Sequence, residues 1–391
     1  MAGLSQEAEQ LAKKIEDEFV NGRSTMKRRR EMFGEFASLR NRIEESDDKG
    51  SLEVLDTKRK LLGAPKQAQS LTAKVSMYFR FLLTIVACLW GAFCCMLLVP
   101  LRLTHPFLRK LGVPNGWLPM DALISLWSST VLAAAGVKAN VEGGSTEWLD
   151  RTDLVGIIIY NHTSNLDPFI VNSICQAHAP KYVGKKDLFM IPVLGWLFAM
   201  CGMVPINRGD PEKARATMNE RVSGIMKMWG RNVAISPEGT RSKDGHLSLP
   251  FKKGVYHLQD LTKVPLKPVV IKGAYELWPR GRLFTAPGEV TVSFLPPQWQ
   301  VESDKNVTRL KTQKDYADAI AKHAEEKHAS PLSFGGFVSC VCQLLVSSAF
   351  YAVVTWLFSA VIKAVSLGAL YNSIVLAVIT VFVSFYVHKY A

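Results

Sequence analysis

Two apolar stretches constrain this chain before any motif is considered. Between Arg80 and Arg102 lie twenty-one residues, 81–101, without a charge. Wound as a helix they extend roughly 31 Å, enough to cross the hydrocarbon core of a bilayer. Near the other end, residues 334–387 are broken by one charge, Lys363. As helix that stretch would measure roughly 81 Å, too long for one crossing and right for two. Lys363 or Leu370-Tyr371-Asn372-Ser373 is expected to mark the turn of this hairpin. A third segment, 117–137, is moderately apolar and carries Asp121; it is expected to return beside 81–101 as a shallow hairpin.

What lies between these segments has the composition of a soluble core. The chain is 48% hydrophobic with mean hydropathy +0.09, high for a soluble protein and low for a polytopic transporter. Within 138–330, β-branched runs at 154–160, 203–206, 232–236, 268–271 and 290–294 alternate with helical stretches at 169–178, 211–230 and 254–261. An amphipathic helix at 309–327 closes the region. That alternation predicts an α/β fold. Four parts follow: a charged, partly helical arm (1–74), an N-terminal membrane helix or two-helix hairpin (75–137), the α/β domain (138–330) and a C-terminal transmembrane hairpin (334–388). In the arm, Leu11, Ile15 and Phe19 recur at helical spacing, as do Met32, Phe33, Phe36, Leu39 and Ile43. The run Lys27-Arg28-Arg29-Arg30 reads either as a contact with an anionic membrane surface or as a solvated helix face.

Net charge is +13, yet fifteen Lys and Arg nearly balance thirteen Asp and Glu before Val75. The surplus falls on the central region, so the expected partners are anionic: phospholipid headgroups or phosphorylated metabolites. No arginine- and aromatic-rich recognition module is present, which argues against nucleic acid. Seven cysteines are scattered, with no Cys-x2-Cys pair matched by a second half, and read as reduced thiols rather than a metal site. Residues 1–21 are polar and acidic, so no secretory signal peptide is expected there.

The run Asn161-His162-Thr163-Ser164-Asn165-Leu166-Asp167-Pro168 follows the strand at 154–160, and Pro168 suits the first turn of a helix capped by Asp167 or Asn165. A histidine and a carboxylate at a strand-to-helix junction sit where α/β sheets hold ligands, and an imidazole oriented by a carboxylate can take a proton from a hydroxyl. By itself the pair reads equally well as polar capping. Three further stretches follow in order. Gly202-Met203-Val204-Pro205-Ile206-Asn207-Arg208 is a short strand ending on an arginine. Ser236-Pro237-Glu238-Gly239-Thr240-Arg241-Ser242 follows the strand at 232–235, with a glycine that admits close backbone approach and a guanidinium fork. Val264-Pro265-Leu266-Lys267-Pro268-Val269-Val270-Ile271 is an apolar strand punctuated by prolines.

In this order and spacing the four stretches resemble the sequence blocks of the glycerophospholipid acyltransferase family, which includes 1-acylglycerol-3-phosphate acyltransferases. The segment from Lys181 through Lys185, Lys186 and Leu188 to Trp196, and Leu249-Pro250-Phe251-Lys252-Lys253-Gly254, also look like that family's. The likeness covers about residues 150–300. It implies an acyltransferase-type αβ domain with His162 as catalytic base and Asp167 as its orienting carboxylate. It further implies Arg208 and Arg241 as holders of the acceptor phosphate, with Glu238, Gly239 and Thr240 at the glycerol end. Lys185 is a further phosphate candidate, or Lys186 should the register slip by one. The likeness associates 265–270 with the acyl-CoA or acyl-chain side. Two departures stand out: no aromatic residue immediately precedes Arg208, and Lys267 puts a charge in an apolar block.

The resemblance therefore implies transfer of an acyl group from acyl-CoA, a substrate rather than a cofactor, to the sn-2 hydroxyl of lysophosphatidate. No metal or cofactor is expected. Alternatives are a glycerol-3-phosphate or other lysophospholipid acyltransferase, or a membrane-shaping scaffold that retains such a domain. An integral membrane protein of the endoplasmic reticulum with its catalytic domain facing the cytosol is expected. A glycan on Asn306-Val307-Thr308 would instead place that domain in the lumen; Asn161-His162-Thr163 fits the sequon by accident.

Overall fold

The computed structural model describes residues 71–144, 148–191, 194–299, 304–322 and 329–364, with 6–14, 35 and 39 of the N-terminal arm. Residues 6–14 are helical and bury Leu11, as its helical spacing implies. The rest of the expectation for the arm, including the basic run at 27–30, lies outside the described residues, apart from Glu35 and the buried Leu39, both helical.

The core is a seven-stranded sheet. Its strands are β1 (Val137–Gly144), β2 (Ile157–Tyr160), β3 (Lys181–Lys185), β4 (Val204–Ile206), β5 (Val233–Ile235), β6 (Leu266–Lys272) and β7 (Gly288–Phe294). They lie in the order β1-β7-β6-β2-β5-β3-β4, parallel throughout except for the antiparallel pairing of β6 with β7. β2 is the centre, and all four of its residues are buried. Successive side chains on a strand point to opposite faces. Ile158 and Tyr160 accordingly pack with Ile170, Val171 and Trp148 on one face, while Ile157 and Ile159 pack with Val222, Tyr256 and Tyr316 on the other.

Helices cover both faces, as a largely parallel sheet requires. They include α3 (Asp167–Ile174), α4 (Leu194–Met200), α5 (Pro211–Thr217), α6 (Ser223–Trp229), α7 (Gly254–Thr262) and α8 (Lys305–Lys322). A π-helical turn, Met218–Val222, joins α5 to α6 within the expected stretch 211–230. The sequence did not disclose β1 and β3. β1 directly follows α2 (Pro119–Ala135) across Gly136, whose φ of 72° ends that helix in the left-handed conformation.

The apolar segments form a second layer. Among the described residues, two helical stretches, Lys74–Lys110 and Phe334–Ala360, are long and apolar enough to cross a membrane. The first overlaps α1 (Leu71–Leu98), and the second lies in α9 (Phe334–Ala364). The return segment α2 has 17 residues and is largely buried between α1, α9 and α3. Gly91 makes the α1–α2 contact possible: a Cβ there would stand 2.0 Å from the Trp127 ring, whose indole N–H donates to Ala87 O at 3.2 Å. Thr130 of α2 donates to Ser347 Oγ of α9 at 2.7 Å. Lys363 is still helical, one residue before the described segment ends; the turn of the expected hairpin, with its alternative at 370–373, and the second half lie outside the described residues.

Asp121 explains why α2 reads as only moderately apolar. It is buried, and its carboxylate accepts from Lys181 Nζ at 2.5 Å and Arg231 Nη1 at 2.6 Å. One carboxylate thereby fastens the helical layer to the start of β3 and to the residue two ahead of β5. Burial pushes the Lys181 ammonium down to about 8, with Asp121 acting in the opposite direction.

Candidate active site

Ligands of parallel sheets gather outside the carboxyl ends of the strands. Here β2, β3, β4 and β5 end at Tyr160, Lys185, Ile206 and Ile235, and the site residues follow: His162, Lys185 itself, Arg208 and the loop 236–242. A cleft of about 1610 Å³ opens there, lined by His162, Lys185, Arg208, Gly239, Thr240 and Arg241 among others.

The His162 Nδ1 and Asp167 Oδ2 atoms are 2.8 Å apart. That oxygen also accepts the backbone N–H groups of Thr163 at 2.7 Å and Ser164 at 2.8 Å. Asp167 is completely buried and lies in the first turn of α3, whose N-cap is Leu166. The expected cap at Asp167 or Asn165 is thus corrected. Asp167 turns its carboxylate back onto the preceding turn, where it accepts the Thr163 and Ser164 amides. An acceptor at Nδ1 fixes the Nδ1–H tautomer and leaves Nε2 with its lone pair.

The third block brackets the main chain of His162. The His162 N–H donates to Glu238 Oε1 at 2.7 Å, and its carbonyl accepts from Ser242 N–H at 2.7 Å. The other oxygen of Glu238 accepts Ser248 N–H at 2.8 Å. Glu238 is 2% exposed and does not line the cleft, so the glycerol-end position expected for it is corrected. A carboxylate whose two oxygens face main-chain amides orients the loop that carries His162. Burial pushes its pKa up to about 7, with the amide hydrogen bonds acting the other way. Asn161 adds a second brace: its side chain accepts from Ile271 N–H at 2.7 Å and donates to Ile271 O at 2.8 Å.

Cations line the same cleft as His162. Arg208 is partly buried and has no carboxylate within salt-bridge distance among the described residues; burial lowers its pKa. Arg241 donates to Asn165 Oδ1, and burial followed by the nearby Arg280 lowers its pKa. Lys185 is exposed at the rim and pairs with Asp187, while Lys186 does not line the cleft. Gly239 holds φ 73° and lets the Lys252 stem pass: a Cβ would stand 3.1 Å from Lys252 Cγ.

Sequence reasoning missed Arg280, which lines the cleft from the turn after β6. Its signal was the Pro279-Arg280-Gly281-Arg282 turn, whose relation to the site needs the sheet order to be seen. The fourth block is also corrected. None of residues 265–270 lines the cleft, because β6 is an interior strand. Lys267 is completely buried, donating to Leu154 O and, at 3.2 Å, to Asn232 Oδ1, with its ammonium 5.4 Å from the Trp148 ring centre. Its charge anchors the strand beginnings, at the end of the sheet opposite the cleft.

A half-buried histidine held by a buried carboxylate, in a cleft lined by guanidinium groups with no carboxylate within salt-bridge distance among the described residues, at the carboxyl ends of parallel strands, suits a general base and an anionic substrate. Residues 150–272 match the Acyltransferase family model. The chain is 31% identical over 242 residues to a 1-acyl-sn-glycerol-3-phosphate acyltransferase of Limnanthes douglasii, covering 61% of this chain and 78% of that protein. To the Escherichia coli (strain K12) protein of the same name it is 37% identical over 143 residues, 36% of this chain and 56% of that one. The crystal structure of the 1-acyl-sn-glycerophosphate (LPA) acyltransferase, PlsC, from Thermotoga maritima aligns with TM-score 0.47 and 22% identity, over 62% of this chain and 97% of that one. The chain belongs to the glycerophospholipid acyltransferase family.

Proposed function

We propose that this protein acylates the free sn-2 hydroxyl of lysophosphatidate, with acyl-CoA as donor, to give phosphatidate. The observation that carries the reading is the His162–Asp167 pair at 2.8 Å, at a cleft whose guanidinium groups have no carboxylate within salt-bridge distance among the described residues. The names of the relatives above support a lysophosphatidate acceptor. With Nδ1–H held by Asp167, Nε2 takes the proton of the acceptor hydroxyl. The hydroxyl oxygen bonds to the thioester carbon, the carbon–sulfur bond breaks, and the thiolate leaves with the proton returned by His162. No acyl-enzyme is needed. Arg208, Arg241 and Arg280 hold the acceptor phosphate, since a doubly charged group is best matched by several fixed guanidinium donors.

The apolar arm of the cleft, lined by Ile124, Trp127, Phe169, Phe198 and Met203, takes the acyl chain. Exposed apolar side chains on α1 and α9, such as Leu82, Leu89, Leu345 and Trp356, support insertion into a bilayer, where both lipids reside. A cytosolic face of the endoplasmic reticulum fits the supply of acyl-CoA. The deciding experiment is an acceptor panel with purified protein and labelled acyl-CoA. Lysophosphatidate should be acylated far faster than glycerol-3-phosphate or lysophospholipids with larger headgroups; a preference for one of these would overturn the acceptor assignment.

A further inference from the structure

The turn that carries Arg280 is braced by a side chain that does not itself line the cleft. Pro279, Arg280, Gly281 and Arg282 form a β-turn, closed by the Arg282 N–H donating to Pro279 O at 3.3 Å. Gly281 holds φ 83°, the sign a type II turn requires at its third residue, and Arg280 takes the apex position before it. The indole N–H of Trp278 reaches across this turn and donates to Arg282 O at 2.8 Å. The Trp278 ring is partly buried and packs against the core cluster that contains Tyr160 and Leu166.

The main chain of Trp278 meets the turn between His162 and Asp167. Trp278 O accepts the Ser164 hydroxyl at 2.8 Å and the Asn165 N–H at 3.2 Å. Ser164 in turn donates its N–H to Asp167 Oδ2 at 2.8 Å, and Asn165 Oδ1 accepts from Arg241. The helical turn just before, Ala274–Leu277, reaches the loop after the third block: the Tyr275 hydroxyl donates to Lys243 O at 3.0 Å. One short segment therefore touches the first block, the loop after the third block and the turn of Arg280.

Arg241 and Arg280 line one cleft, and like charges that share a cleft drive each other apart. They converge on a phosphate when the backbone under each is fixed. Arg241 has Asn165 as its partner, whereas Arg280 is exposed on its turn and depends on the backbone beneath it. We infer that Trp278 is a positioning residue: its indole N–H holds the 279–282 turn in the form that presents Arg280 to the acceptor phosphate. This rests on the acceptor reading above and adds what sets its third guanidinium. It also gives Trp278 a part in selection, because a doubly charged phosphomonoester gains more from a third guanidinium than a singly charged diester does.

The test uses the full-length protein in detergent, with W278F and G281A each made singly and in an R280A background. Phe keeps an aromatic ring and the main-chain carbonyl but removes the N–H. A Cβ on Gly281 meets nothing within 4 Å, so G281A acts through the backbone of the turn alone and serves should W278F fail to fold. Each single variant should raise the KM for a short-chain lysophosphatidate about fivefold, with kcat within about twofold of wild type. The rise should be smaller for the phosphate methyl ester of the same lipid, and neither substitution should add to the effect of R280A. An equal rise in the R280A background overturns the inference, as does an equal rise for monoester and diester, or a fall in kcat at unchanged KM. Direct binding of the short-chain lysophosphatidate is measured on the same variants. Losses coupled to Arg280 in a protein that transfers no acyl group keep the role of Trp278 and overturn the acyl-transfer reading instead.

Discussion

Glu238 holds His162 by its main chain: the His162 amide donates to Glu238 Oε1 at 2.7 Å, across 76 positions of sequence. The same carboxylate takes Ser248 N–H on its other oxygen, so one buried side chain fixes the loop bearing the base and the loop that returns toward α7. Asp167 then fixes the ring. Main chain and imidazole are positioned separately, and each can be perturbed separately.

Replacing His162 by Ala should remove the base while leaving the fold intact. Acyl transfer should fall about a thousandfold, with an unchanged thermal transition. D167N should approach the same loss, because an amide can present its N–H to Nδ1 and favour the wrong tautomer. Steady-state assays with folding checked by circular dichroism test both; normal turnover in H162A would exclude the mechanism.

Glu238→Gln should slow turnover by up to about a hundredfold through misplacement of His162, since Gln can accept only one of the two amides. The variant also has a pH signature. The folded-state pKa of Glu238, about 7, lies above the ordinary 4.5, so the folded chain binds that proton more tightly than the unfolded chain does. The associated stability is fully present below 4.5 and is lost as pH rises through about 7. Between about pH 5 and about pH 8, wild type should lose stability relative to E238Q, by roughly 3 kcal/mol at most. Thermal unfolding in detergent at several pH values measures it; a constant gap would exclude the linkage.

Arg208→Ala and Arg241→Ala should raise the KM for lysophosphatidate by about tenfold or more, each removing a charge-assisted contact to the phosphate. Arg280→Ala should act in the same direction. A neutral acceptor analogue such as a monoacylglycerol should be insensitive to all three. Equal sensitivity of both acceptors would assign these residues to something other than phosphate.

Asp121→Asn should destabilise the junction between the helical layer and the sheet by about 3 kcal/mol or more, because Lys181 and Arg231 would remain buried without their shared anion. A drop in the unfolding temperature of the α/β domain, followed by near-ultraviolet dichroism, is the expected readout. An unchanged transition would mean that water or another group neutralises these cations.

Ile124→Phe should narrow the apolar arm of the cleft and shift donor preference toward shorter acyl chains. A chain-length series at fixed lysophosphatidate measures the shift, and an unaltered profile would place the acyl chain elsewhere.

Much of the architecture was legible because burial writes itself into local patterns. β2 is four consecutive buried residues and β7 alternates, so both are visible in composition alone. β1 and β3 were not visible for opposite reasons. β1 is a sheet edge whose Lys138, Asn140, Glu142 and Gly144 look like loop, and it becomes a strand only by pairing with β7 some 150 positions later. β3 begins on Lys181, whose burial depends on Asp121, 60 residues earlier. The sequence led to Glu238 and Lys267 but could not assign their roles, because their partners are backbone groups brought near by the sheet.

The sequence by itself determined most of the elements, the two apolar helices and the pairing of His162 with Asp167, since these two residues share one local turn. Tertiary structure decided which cations join them. Arg208, Arg241 and Arg280 reach one cleft only because parallel strands align their carboxyl ends, and Glu238 moved from the cleft wall to the scaffold behind the base. Contacts within a turn depend on backbone geometry, which neighbouring residues dictate; contacts between strands depend on sheet order, which the whole core dictates.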